Sequence, residues 1–289
     1  MPEQILLQSK ILGTEEFLLA GSAEGRSARA AGEDLLTGRS QWITLIGEVL
    51  PRALLAELGL ARILLGSSGG GQFLVVLPGE ARDAAEAFLT TAAAHVRELS
   101  GGCVRIIWSM TDNLGDWAVI RKRLNYELER KQNAPLPVDA LAAFQPFNAA
   151  NHAEADAYFV KELAGKIRQA ASVGWSPEAP GKVLANEGKH TWTLTSNLSP
   201  DGIMVARHAA PSDDGKSIAP VQTLARRAQG RSTWGVLRGD VDYFGLRLRR
   251  VHSIEEHVPL SVLYKQFFAG ELEVICSMPE WSLRRPYAT

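Results

Sequence analysis

The sequence predicts an α/β domain at the N-terminal end, in which a strand, a helix, a two-stranded hairpin, a helix and a strand follow one another. Three observations predict it. Short apolar runs of strand length recur along the first 110 residues, a glycine-rich segment separates two of them, and two longer segments carry apolar residues at three- and four-residue spacings. This βαββαβ order is the split βαβ arrangement of ferredoxin-like domains and of polymerase and cyclase palms.

The first strand and the first long helix are read from local patterns. Gln4–Ile11 contains the apolar run Ile5 to Leu7, and Gly13 follows as a strand-ending residue. From Ala28 to Leu58 the apolar residues recur at helical spacing. Pro51 lies inside this segment, and we expect it to kink or split the helix because proline lacks a backbone N–H.

The hairpin, the second helix and the last strand complete the domain. Ile63–Leu65 and Phe73–Leu77 are β-type runs that flank a loop of small residues. Ala81–Leu99 is alanine-rich with an apolar face, and a Gly-Gly pair after it is a natural helix stop. Cys103–Trp108 then predicts a buried strand. We expect these strands to form one antiparallel sheet with its helices on one face and Gly69–Gly71 at the hairpin tip.

The rest of the chain is divided by changes in pattern. Helices are predicted over Trp117–Lys131 and Glu154–Ala171. Residues 172–220 are poorly periodic, and one strand is predicted there, in the WTLTSN run. A second apolar strand is expected at 232–245, followed by a helix over Ser261–Phe268.

We therefore expect three regions along the chain. Residues 1–115 form a first palm-like domain, and residues 116–231 form a helical and irregular connector without a zinc site. Residues 232–289 form the N-terminal part of a second palm-like domain.

Composition limits the possible function classes. The 289 residues include 31 basic and 32 acidic side chains, so net charge gives no case for bulk nucleic-acid binding. The two cysteines, Cys103 and Cys276, cannot form a disulfide framework or a paired zinc motif. The N-terminus resembles no signal peptide and no uncharged run approaches the ~18 residues of a membrane span, so a cytoplasmic protein without membrane contact is expected.

The strongest chemical motif is a pair of aspartates in the predicted second strand. Asp240 and Asp242 alternate with Val241 and are followed by Tyr243 and Phe244. In palm enzymes, an aspartate at a strand end and a carboxylate on the neighbouring hairpin hold Mg²⁺ ions that bridge nucleotide phosphates. We therefore assign Asp240 and Asp242 as metal ligands and this segment as part of a nucleotide site. A surface turn with two solvated aspartates is the alternative.

A second candidate is the turn between the hairpin strands. Ser68, Gly69, Gly70 and Gly71 provide backbone N–H groups that can approach phosphates closely. The turn contains no carboxylate at the place where a palm enzyme has its second metal ligand. A flexible turn without a ligand is an equally good interpretation.

These motifs together resemble a known family. Two segments are similar to the first palm of the large subunit of type III CRISPR effector complexes: LLQSKILGTEEFLLAGSAEGRSARAAGEDLLTGRSQW and LGLARILLGSSGGGQFLVVLP. RKRLNYELERKQNAPL resembles the helix and connector that follow that palm. WGVLRGDVDYFG, with SVLYKQFFAGELEVI after it, resembles the start of the second palm. The similarity covers most of the chain in the right order.

The resemblance implies an activity, cofactors and partners. Family members bind guide RNA, target RNA and other subunits of the complex, and they join ATP molecules into cyclic oligoadenylates with Mg²⁺ or Mn²⁺. A nucleotidyltransferase family, antiviral defence and ATP binding are therefore implied for this chain.

Departures from the family pattern limit that expectation. Lys10 stands where the first palm often has an aspartate, and residues 134–175 contain no cysteine for the family's zinc module, so no zinc is expected. The sequence has no His-Asp nuclease pair before its first strand and ends before the Gly-Gly-Asp-Asp hairpin of the second palm.

Three functions are consistent with these features. The first is a noncatalytic or partial large subunit that contributes a scaffold and half of an ATP pocket, inactive by itself. The second is one half of a split cyclic-oligoadenylate synthase that a partner chain completes. A palm-like nucleotide sensor outside CRISPR defence is the weaker third.

Overall fold

The computed structural model describes residues 3–19, 28–134, 153–196, 199, 201–214 and 218–278. Within these ranges the chain forms two four-stranded sheets with helices between and around them. Among the helices of the described ranges, none combines the length and the apolar composition that a membrane span requires.

The first sheet contains the four strands predicted from the sequence. These are β1 (Gln4–Leu12), β2 (Leu65–Gly69), β3 (Gln72–Pro78) and β4 (Arg105–Asp112). The strand order is β2-β3-β1-β4 and every neighbouring pair is antiparallel. The predicted βαββαβ palm is therefore confirmed.

Helices α1 (Thr14–Leu19), α2 (Ala28–Glu57) and α3 (Arg82–Leu99) are connected to this sheet. The strand residues that alternate toward α2 and α3 form one buried cluster with them. This placement on one face of the sheet confirms the prediction. Helix α2 remains one helix through Pro51, so the expected split is wrong. Pro51 cannot donate the backbone hydrogen bond of a helix interior. The helical turns before and after it are extensively buried, and this packing compensates for the missing bond.

The opposite face of the sheet is covered by α4 (Trp117–Gln132), also as predicted. Leu6 and Leu74 alternate to this side and pack against Trp117 and Leu124. Lys10 is on the same face, where its Nζ donates to Oε1 of Gln132 at 3.0 Å. Position 10, where the resemblance suggests a metal-binding aspartate, thus carries a lysine that is hydrogen-bonded to a glutamine side chain.

A second layer lies in the region expected to be irregular. Helix α5 (Ala153–Ala157) continues as a π-helical segment, Tyr158–Ile167, which agrees with the predicted helix. Four short strands follow: β5 (Ser172–Trp175), β6 (Leu184–Ala185), β7 (His190–Thr195) and β8 (Ile203–Met204). Their order is β6-β5-β7-β8, with β7 and β8 parallel. Only β7, which overlaps the WTLTSN run, was predicted, because the other strands have at most four residues and no periodic pattern.

An aromatic cluster joins the two layers. The rings of Phe17, Trp42 and Phe159 contact one another edge to face, with centroids 5.3 to 5.5 Å apart. Trp42 Nε1 donates to the carbonyl of Gly181 at 2.9 Å. The Tyr158 hydroxyl links the π-helical segment to Val183, because it donates to the Val183 carbonyl and accepts from the Val183 N–H. Burial raises the pKa of this hydroxyl. The second layer therefore packs directly on α2 and shares its core.

The C-terminal part of the described chain is helical. It contains α6 (Val221–Arg226), α7 (Phe244–Arg249), α8 (Ile254–Lys265), the π-helical segment Gln266–Glu271 and α9 (Leu272–Ser277). The helix predicted over Ser261–Phe268 is confirmed.

The strand expected at 232–245 is not present. Residues 231–240 are exposed and without regular structure, and Trp234 and Leu237 are 56% and 100% exposed. The backbone N–H and C=O groups of a strand need hydrogen-bond partners on a neighbouring strand. No described strand lies beside this segment, so its β-type composition alone does not make it a strand.

We predict that Trp42→Ala lowers the free energy of unfolding by about 3–5 kcal/mol, because a fully buried indole and its hydrogen bond to Gly181 are lost. Urea denaturation followed by circular dichroism measures the change. Trp234→Ala is the matched control, and it should change stability by less than about 0.5 kcal/mol because that indole is exposed. Equal effects of the two substitutions would contradict the assigned core.

Candidate functional site

The predicted Ser-Gly-Gly-Gly turn lies at the hairpin tip. Gly69, Gly70 and Gly71 have φ angles of 140°, 57° and 72°, which residues with a Cβ rarely adopt. The N–H of Ile11 donates to the carbonyl of Gly71 at 2.7 Å, and this bond holds the turn against the end of β1. The expected position of the turn is confirmed.

Ser68, the first residue of the motif, is buried and faces α2 rather than solvent. Its Oγ donates to Glu48 Oε2 at 2.8 Å. The same carboxylate oxygen pairs with Arg52 Nη1 at 2.8 Å and with Lys265 Nζ, and Lys265 also donates to Ser68 Oγ at 3.0 Å. One carboxylate therefore connects α2, β2 and α8.

Burial and charge oppose each other in this cluster. Burial alone would raise the pKa of Glu48, but Lys265 and Arg52 outweigh it and hold the pKa below its ordinary value of 4.5. Burial lowers the pKa of the Lys265 ammonium, the Glu48 carboxylate opposes that shift, and Arg52 adds to it. The close ion pair with Glu48 favours the charged form of both partners.

A pocket of about 250 Å³ opens beside this cluster. It lies between β2, α2, α8 and the β8 region of the second sheet. Its cationic lining residues are Arg52, Arg62 and Lys265, and no aspartate or glutamate is among the described residues that line it. The remaining lining residues are small or apolar: Ile63, Leu65, Gly66, Ser67, Ser68, Ser199, Gly202, Met204, Val258, Ser261 and Val262.

The predicted aspartate site is not assembled in the described structure. Asp240 and Asp242 lie on the exposed segment before α7, so the prediction that Asp240 ends a strand is wrong. Asp240 Oδ1 accepts from the N–H of Val241 at 2.8 Å, and Tyr243 adopts a left-handed backbone conformation with φ of 58°.

Neither aspartate reaches the pocket. None of residues 240–244 lines it, and no group of three or more metal-ligating side chains occurs in the described part of the chain. Two exposed carboxylates are too few ligands for Mg²⁺ or Mn²⁺, so the described residues do not fit the divalent ion that the resemblance implies.

Glu48 and the charged residues that line the pocket were not predicted from the sequence. Glu48 and Arg52 are four residues apart on the apolar face of α2, and two charges among apolar residues at that spacing indicate a buried ion pair. Arg62 lies in the short helical turn directly before β2, where a single arginine gives no such signal. Lys265 gives none either, because only the tertiary fold brings α8 to β2.

We predict that Glu48→Gln lowers the free energy of unfolding by about 3–5 kcal/mol at pH 7, since it leaves Arg52 and Lys265 buried without their counter-ion. The folded-state pKa of Glu48 is depressed, so its contribution is present above pH 4.5 and is lost as the pH falls through that lower folded value. Urea denaturation of the wild type and the variant should therefore converge in acid.

The control for this prediction is Glu127→Gln, which removes the half-buried partner of the exposed Arg130 and should have an effect below about 1 kcal/mol. A difference between wild type and Glu48→Gln that stays constant from pH 7 to pH 3 would contradict the linkage.

Comparison with known proteins identifies a fold. No family model matches the chain, and no curated protein matches it. Among solved structures, the apo Csm1–Csm4 cassette matches with a TM-score of 0.70 at 17% identity, covering 94% of this chain and 40% of that one.

Two further structures agree with that match. Csm1 in T. onnurineus has a TM-score of 0.66 at 17% identity over 96% of this chain and 39% of its own. The Csm1–Csm4 cassette in complex with one ATP has a TM-score of 0.71 at 18% identity over 94% and 40%. The chain spans about two fifths of the Csm1 chains that it matches. Over nearly its whole length, it has the fold of Csm1, the subunit found with Csm4 in the type III-A CRISPR-Csm interference complex.

Proposed function

We propose that the chain is a component of the large subunit of a type III CRISPR effector complex, where it contributes a scaffold and part of an ATP pocket. The observation that carries the proposal is the Csm1 fold over 94% of the chain, with the Ser-Gly-Gly-Gly turn at its hairpin tip. Structures of that fold include complexes with one ATP, with cA3 and with cA4. Other subunits of the complex and guide and target RNA are the proposed partners, in the cytoplasm.

The chain is proposed to be inactive as a synthase by itself. Phosphoryl transfer depends on positioned charge around the reacting oxygens. Asp240 and Asp242 are exposed on an irregular segment, and Lys10 places an ammonium beside the hairpin, opposite Gln72 in the sheet register. These residues leave the described chain without a complete set of carboxylates for that chemistry.

The split-enzyme function is a second candidate, and one observation favours it. Trp234, Val236 and Leu237 are 56%, 78% and 100% exposed in a β-type run that precedes the aspartates. Such a run pairs readily with a strand from a partner, which would order it and fix Asp240 at its end. A polypeptide carrying the Gly-Gly-Asp-Asp hairpin could supply that strand.

We predict that the purified chain makes no cyclic oligoadenylate from ATP with Mg²⁺ or Mn²⁺, as measured by chromatography and mass spectrometry. If a fragment bearing the hairpin is added in trans and product appears, the split-enzyme function is correct, and Asp240→Ala should then abolish synthesis. Asp83→Ala, at an exposed aspartate on α3, is the control that should leave synthesis unchanged. Product from the isolated chain would disprove the proposed inactivity.

Assembly tests the scaffold role separately. We expect the chain, co-expressed with the other subunits of a type III complex from the same genome, to co-elute with a Csm4-type subunit in size-exclusion chromatography. Elution of the chain alone, while the remaining subunits assemble, would contradict its role in the complex.

A further inference from the structure

We propose that the pocket beside Ser68 binds a phosphate group, held by Arg52, Arg62 and Lys265, and that its ligand is a nucleotide with a terminal phosphate. The choice of a nucleotide rests on the proposed function. The phosphate chemistry rests only on the pocket, which is separate from the aspartate segment and from the exposed glycines of the turn.

The pocket has more positive than negative charge. Three cationic side chains line it, and the buried Glu48 behind them supplies one carboxylate to two of the three. Asp201 also attracts Arg62, but it does not line the pocket. Positive charge remains in excess even when Asp201 is counted, although the whole chain has a net charge of only −1.

The two arginines have unused hydrogen-bonding capacity there. Arg52 is 4% exposed, and the Nε atoms of Arg52 and Arg62 are buried without a hydrogen-bond partner among the described residues. Burial and the neighbouring Arg52 lower the pKa of the Arg62 guanidinium. Buried donors are normally satisfied, and guanidinium groups bind phosphate oxygens through two parallel hydrogen bonds. An anion in the pocket would meet both requirements.

The shape and the neutral lining residues agree with a phosphate ester. Ser67, Ser199 and Ser261 are among the residues that line the pocket, and a serine hydroxyl can donate to a phosphate oxygen. A volume of about 250 Å³ is below the ~300–1,000 Å³ of typical pockets that enclose a whole drug-sized ligand. We therefore expect the pocket to hold the phosphate end of a nucleotide rather than to enclose the whole molecule.

Arg62 is the residue whose substitution can test ligand binding without removing a contact that supports the fold. Arg52 and Lys265 also stabilise the fold through Glu48, so their removal would disturb both. Arg62 forms no ion pair with Glu48, and it is only partly buried. Arg62→Met keeps most of the side-chain volume and removes the charge, and Arg130→Met is the matched control at an exposed arginine outside the pocket.

The test is calorimetric titration of the full chain with inorganic phosphate, AMP and adenosine, with thermal unfolding of each variant as a folding check. We expect phosphate and AMP to bind the wild type, adenosine not to bind, and Arg62→Met to weaken AMP and phosphate binding at least tenfold. Arg130→Met should bind as the wild type does. If Arg62→Met does not fold, Arg62→Lys replaces it and should still weaken both ligands, because the bidentate geometry is lost.

The outcomes distinguish the pocket from the proposed function. Binding of phosphate but not AMP, with loss in Arg62→Met, supports the phosphate site and overturns the nucleotide as its ligand. Equal binding by wild type and Arg62→Met, equal binding of AMP and adenosine, or no binding of any ligand overturns the site. Co-elution with the other subunits is measured independently, so it can succeed or fail without changing this result.

Discussion

The buried carboxylate of Glu48 is the interaction on which the rest of the site depends. It accepts hydrogen bonds from Ser68 and Lys265 and pairs with Arg52, so one side chain fixes the edge strand β2 and helix α8 against α2. Isolated buried charges are expensive, and three donors around one carboxylate provide the compensation that burial requires. The position of α8, and with it one wall of the pocket, follows from this contact.

The same cluster explains how a nearly neutral chain can have a pocket with an excess of positive charge. Surface charges balance over the whole sequence, whereas the pocket collects Arg52, Arg62 and Lys265 around a single carboxylate. In a partly buried place, the attraction of this excess for an anion is screened less than it would be at the surface. Local arrangement, rather than net charge, therefore decides where an anionic ligand can bind.

A segment of this chain forms regular structure where it packs or pairs with another segment. The Trp42 cluster and the Tyr158 bridge join the two sheets into one packed body. Residues 231–240 have the composition of a strand, yet they lie exposed because no described strand is beside them. In the proposed split enzyme, a neighbouring strand would have to order this segment before its aspartates could act together.

Local sequence patterns were enough to predict the first palm. The short apolar runs of β1 and β3, the apolar face of α3, the charged segment of α4 and the glycines at the hairpin tip are local signals, and each segment has the structure that was predicted for it. The tertiary structure alone decided the short strands of the second sheet and the pocket, because Arg52, Arg62 and Lys265 are up to 213 residues apart and meet only through packing. It also decided that Asp240 lies on an irregular segment rather than at a strand end. A strand requires hydrogen bonds to another strand, and local composition cannot supply them.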